Sequence, residues 1–75
     1  MAGWILRRQL GLNVELLRRS LGLSQEELAF EAKIHRTYIS GVERGVRNPT
    51  VTVIARLAGA LKVEPAELLV INPNP

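Results

Sequence analysis

The sequence predicts an all-α fold, a compact five-helix bundle, from three observations. Of 75 residues 47% are hydrophobic, yet only one Trp, one Tyr and one Phe are among them, so the core must be built from Leu, Val, Ile and Ala, as in packed helices. Apolar residues recur at three- and four-residue spacings instead of alternating. Capping residues, Gly and Pro punctuate these runs. A chain of 75 residues has little interior to spare, so residues 1–75 read as one domain, with residues 1–9 as an N-terminal extension and residues 72–75 as a flexible tail. Repeats, low-complexity tracts and linkers are absent from the sequence.

The first helix is marked by Leu6, Leu10, Val14, Leu17 and Leu21, spaced four, four, three and four apart, which stacks them on one core-facing stripe. Gly22 offers the left-handed stop favoured after a helix. The helix start falls between Leu6 and Asn13, because Gly11 weakens a continuous helix by about 1 kcal/mol relative to Ala and Asn13 could cap a shorter one. Ser24 to Glu27 spells the S-x-x-E capping box, so the second helix opens at Gln25. Leu28, Ala29 and Ala32 supply its buried side, and it ends near Ala32 or Lys33. A third helix from about Arg36 to Arg44 turns Ile39 and Val42 inward and stops at Gly45. Arg36, Thr37, Ser40, Gly41 and Arg44 share its opposite face, all polar or small, and no demand of a core explains them. Asn48 and Pro49 mark a loop. Thr50 then caps a fourth helix with Val51, Ile54, Leu57, Ala58 and Leu61 on one side. Pro65 opens a short fifth helix through Leu68 and Leu69, after which the Asn72–Pro75 tail frays.

Ten Lys and Arg against seven Glu and no Asp give a net charge of +3, which suits a polyanionic partner without naming one. With no Cys and a single His, neither a disulfide framework nor a Cys-based or multi-His metal site is expected, and no cofactor is called for. Arg7 and Arg8 interrupt the apolar start at Trp4, Ile5 and Leu6, and no span approaches membrane length, so a soluble, unsecreted chain is expected. One turn of basic residues is a thin basis for a membrane-surface role of Trp4 to Leu12. The glutamates and the lone His offer no nucleophile and base at a readable spacing, so an enzyme is not expected.

From about Leu12 to Leu69 the chain resembles the lambda-repressor-like (Cro/repressor, XRE-type) family of helix-turn-helix DNA-binding domains. The resemblance rests on GLSQEELA at Gly22 to Ala29, RTYISGVERG at Arg36 to Gly45, and the NPT and LAGAL segments between Asn48 and Leu61. RTYISGVERG is similar to the recognition helix of restriction-modification controller proteins, small homodimeric transcription regulators of that family. The resemblance implies a homodimer that sets two third helices into successive major grooves of a near-palindromic operator.

The resemblance assigns roles by position. Arg36, Thr37 and Ser40 contact bases, with Arg36 able to fork onto guanine O6 and N7. Gln25, His35, Tyr38, Arg44, Arg47 and Asn48 contact the sugar-phosphate backbone and position the domain. Several positions have a plainer alternative: Gln25 as an ordinary exposed residue, Arg36 as a solvated surface Arg, Gly41 as a helix-packing site instead of a close approach to DNA, His35 as an N-cap, and Tyr38 as a ring packed beside Phe30. Glu43 pairs with Arg18 in the family pattern, either as a buried structural pair or as a weak surface one. Leu68, Leu69, Val70 and Ile71 are too many consecutive apolar residues for one short helix to bury, and are expected to meet a second copy.

Two features depart from the family pattern. Lys33 stands where Gly or Asn is common, so either Lys adopts a left-handed conformation at about 1 to 2 kcal/mol or the turn differs. Residues 1–9 have no counterpart; they extend the first helix, stay loose, or bring Arg7 and Arg8 to the DNA backbone.

The expected function is a cytoplasmic bacterial or phage-type transcription regulator, associated with the nucleoid when bound. It acts by occupancy, repressing by blocking RNA polymerase or activating by contacting it. The alternative is a protein-binding adaptor or antitoxin-type module on the same fold.

Overall fold

The computed structural model describes residues 3–71, so the expected fraying of residues 72–75 lies outside the described residues. Four α-helices follow one another: α1 (Gly3–Ser20), α2 (Gln25–Ala32), α3 (Arg36–Glu43) and α4 (Val51–Leu61). A 3₁₀ helix over Pro65–Leu69 completes the chain, and there is no strand among the described residues. The all-α class is as predicted, but the fifth element is a single tight 3₁₀ turn, as suits a five-residue segment opening on proline. α3 packs on α1 and α2, α2 packs on α4, and the 3₁₀ helix closes the bundle against α1 and α4.

The helix starts follow the capping chemistry. Ser24 Oγ accepts from the Glu27 amide at 3.0 Å while the Ser24 amide donates to Glu27 Oε1 at 2.9 Å, completing the capping box of α2. Those bonds from Ser24 hold the exposed Glu27 carboxyl below the usual carboxylate range. Thr50 caps α4 by accepting from the Val53 amide.

The helix ends share one device. Gly22, Lys33, Gly45 and Lys62 all have positive φ, between 58° and 77°. In each case the next residue, Leu23, Ile34, Val46 or Val63, donates its amide back to the carbonyl five positions earlier. This is the Schellman motif, with its usual apolar residue after the left-handed one. Lys33 therefore takes the left-handed conformation, the first of the two readings above, and Lys62 repeats it.

The core consists of Leu10, Val14, Leu28, Ala29, Ala32, Ile39, Val42, Leu57, Ala58, Leu61 and Leu68, with Leu17, Ile34 and Ile54 packed at its edge. Three expectations are corrected. α1 begins at Gly3, ahead of the predicted window. Gly11 is buried where a Cβ would run into the Val42 carbonyl oxygen, and Arg8 Cα lies 3.2 Å from the Cβ position of Gly45. The predicted stripe of α1 holds only in its middle: Leu6 (37% exposed) lies near the helix start and Leu21 (44%) just after its end, both outside the core. Val51, the first residue of α4, is likewise exposed.

Leu68 corrects the expected dimer interface. It is fully buried in the core, while Leu69, Val70 and Ile71 remain exposed. Asn13, mid-helix and not a cap, fixes this arrangement. Its side-chain amide donates to the Leu68 carbonyl at 2.8 Å and the Val70 carbonyl at 2.9 Å, and Gln9 orients it by donating to Asn13 Oδ1.

Candidate nucleic-acid interface

The inner end of α3 is held by a closed polar network. Arg18 donates Nε to Glu43 Oε2 at 2.7 Å and Nη2 to Glu43 Oε1 at 3.1 Å, a forked pair. Its third nitrogen, Nη1, donates to the Leu23 carbonyl. The side chains are 10% and 4% exposed, so this is the buried structural pair and not the surface alternative. Hydrogen bonding to Glu43 raises the Arg18 pKa above its ordinary value, leaving it charged. Gln25 adds a donor to Glu43 Oε1 at 3.0 Å. The Gln25 amide nitrogen thus gives one of its two N–H groups to Glu43, leaving the second, with the backbone amides at the start of α2, for any phosphate contact from this position.

The outer face is open. Arg36 and Thr37 are exposed and Ser40 half-buried in the first two turns of α3, so the three expected base-reading side chains do share one region. A shallow depression brings Arg36 beside Arg18, Ser24, Gln25 and Glu26, joining the starts of α2 and α3. His35 is the N-cap: its Nδ1 accepts from the Thr37 amide at 3.2 Å and lies 2.8 Å from Thr37 Oγ1.

Gly41 and Arg47 form a second unit. Gly41 is buried beneath the Arg47 stem, whose Cγ lies 2.6 Å from where a Cβ would be. Close packing accounts for this glycine, which is not on the outward face. The Arg47 guanidinium then sits 5.3 Å from the Tyr38 ring centroid, in cation–π range. Phe30, at 82% exposed, is turned out to solvent, and Tyr38 packs on the core under Arg47 instead of beside it. Arg44, the C-cap of α3, and Asn48 are exposed beyond the helix.

Sequence reading missed the Gln25 bond to Glu43, the Asn13 clamp and the tie between His35 and Thr37. Only the last had a readable signal: His at an N-cap two residues before a hydroxyl. Among the described residues no cluster of His, Cys, Asp or Glu could hold a metal, and no helix is long and apolar enough to cross a membrane.

Comparison with known proteins agrees with this geometry. Residues 14–68 match the helix-turn-helix family model HTH_3. The control protein C.BamHI of Bacillus amyloliquefaciens is 46% identical over 65 residues, covering 85% of this chain and 80% of its own. The restriction-modification controller protein C.AhdI from Aeromonas hydrophila superposes with a TM-score of 0.81 at 47% identity, over 83% of this chain and 94% of that one. A hypothetical transcription factor from Neisseria superposes with a TM-score of 0.85 at 40% identity, over 93% and 80% respectively. The chain therefore belongs to the helix-turn-helix HTH_3 family, the lambda-repressor-like group that its motifs resemble.

Proposed function

We propose that this chain is a sequence-specific DNA-binding transcription regulator of the restriction-modification controller type, acting by occupancy without a catalytic step. The observation that carries the reading is the division of α3: its inner polar groups are fully paired, whereas Arg36, Thr37 and Ser40 face outward at the start of a family recognition helix. Arg36 reads guanine in the major groove, and Thr37 and Ser40 contact neighbouring base edges. Arg44, Arg47 and Asn48, with the positive end of α2 at Gln25, hold the phosphates, while His35 and Tyr38 flank them.

Two copies place their α3 helices about 34 Å apart on a near-palindromic operator. The exposed Leu69, Val70 and Ile71, with Val70 held beside Leu16 and Leu17 by Asn13, meet a second copy. As a regulator of bacterial or phage operators it acts in the cytoplasm, with RNA polymerase as the competitor or partner on the promoter.

Selection of bound sequences from random DNA tests the reading. A two-fold symmetric site whose affinity falls steeply with salt is expected, as counterions are released from neutralised phosphates. Enrichment of no sequence would overturn it. An adaptor or antitoxin-type module is favoured by the apolar exposure of Phe30 and Leu16 away from the outer face of α3. That second reading requires a stoichiometric protein partner and no salt-sensitive DNA retention.

A further inference from the structure

The contact between His35 and Thr37 sets which hydrogen-bonding role Thr37 offers. A backbone amide can only donate, so the Thr37 N–H at 3.2 Å requires a lone pair on His35 Nδ1. The Thr37 hydroxyl, 2.8 Å from that same nitrogen, then finds no proton there to accept and can pair with it only as a second donor sharing the one lone pair. Its proton is used within the protein, and the exposed oxygen is left with acceptor capacity alone. The imidazole carries its own proton on Nε2, the tautomer fixed by the two donors on the other side.

We infer that His35 is a positioning residue that turns Thr37 Oγ1 into an obligate acceptor, so that Thr37 selects a base presenting an exocyclic amino group, adenine N6 or cytosine N4. A free threonine hydroxyl rotates to donate or accept and contacts any base in the major groove. With the hydroxyl proton held on Nδ1, guanine O6 and N7 and thymine O4 meet a lone pair instead of a donor and are disfavoured. This inference rests on the DNA-binding reading above and narrows it to one base position per half-site.

Selection from random DNA by the full chain and three variants tests it. Thr37→Val keeps the side-chain shape and leaves the Thr37 amide bond to His35 in place, removing the hydroxyl alone. It should erase a preference for adenine or cytosine at one position, an effect of about fivefold for one hydrogen bond, and leave the other positions unchanged. His35→Gly, tolerated at an N-cap, should keep a contact there but flatten the choice among the bases, because the hydroxyl turns freely. His35→Asn restores a side-chain acceptor and should retain the wild-type choice.

A guanine or thymine preference lost in Thr37→Val overturns the inference, as does an unchanged base choice in His35→Gly or a loss spread evenly over all positions. If the wild type selects no sequence, the regulator reading fails and takes this inference with it. A clear wild-type operator whose base choice ignores both residues sinks the inference alone.

Discussion

The inner and outer faces of α3 come from the same eight residues and differ in how their polar groups are used. On the inner face every strong group has a partner: both Glu43 oxygens are occupied, and Arg18 spends all three of its nitrogens. On the outer face Arg36 and Thr37 stand in solvent, and the His35 cap there engages the Thr37 hydroxyl and no group of Arg36. On the proposed reading, the difference means that the helix is positioned by one set of charges and reads with another. Substitutions on the two faces should therefore separate stability from recognition.

The largest effect belongs to the inner face. Removing one partner of the Arg18–Glu43 pair, by Arg18→Met or Glu43→Leu, leaves a buried charge unpaired and should cost about 3 to 5 kcal/mol in denaturant unfolding. The double variant should lose much less than the sum, since no lone charge remains. Additive losses would mean that the pair does not hold α3.

Next comes the close approach of α1 at Gly11 to the backbone of α3. Gly11→Ala favours helix by about 1 kcal/mol on propensity. A methyl there meets the backbone of Val42 and Glu43, however, so a net loss of about 1 to 3 kcal/mol is expected. A stabilised Gly11→Ala protein would show that α1 and α3 do not cross this tightly.

Smaller still is the turn between α2 and α3. Lys33 pays a left-handed penalty of about 1 to 2 kcal/mol that Gly avoids, against a rise in unfolded-chain entropy of about half that. Lys33→Gly should accordingly raise the unfolding free energy slightly, by about 1 kcal/mol or less, without altering DNA specificity. Changed specificity would mean that the turn sets the helix angle more loosely than its Schellman bonds imply.

The capping box should show in pH dependence. Glu27 has a lowered folded-state pKa, so its contribution is present above the unfolded pKa and fades as pH falls through the folded one. Relative to Glu27→Gln, which still accepts from the Ser24 amide, the wild type should lose midpoint temperature progressively below the ordinary carboxylate range. A constant difference would remove the charge from the account.

Much of this architecture was legible because local chemistry agreed with the global fold. The capping box at Ser24, the Thr50 cap, the stops at Gly22 and Gly45, and the forked pair of Arg18 and Glu43 all stand where the sequence and its resemblance put them. What escaped was decided by contacts between residues far apart in the chain. The backbone of α3 lies against Gly11 of α1, the core takes Leu68 from the expected interface, and Arg47 covers Gly41. Asn13 could not be assigned its clamp, because a carbonyl 55 residues away leaves no trace in local pattern. Lys33 had a missed signal: an apolar residue after a candidate left-handed position accompanies all four helix ends, with Ile34 following Lys33 as Leu23 follows Gly22.

The central claim is that the outer face reads bases while the inner face only holds the helix. Competition binding of wild type and Arg36→Ala to the selected operator and to scrambled DNA, alongside thermal unfolding, addresses it most directly. The expected result is a loss of about 1 to 3 kcal/mol in discrimination between the two DNAs with an unchanged unfolding midpoint. An equal loss of affinity for both DNAs would contradict it and make Arg36 one more phosphate contact.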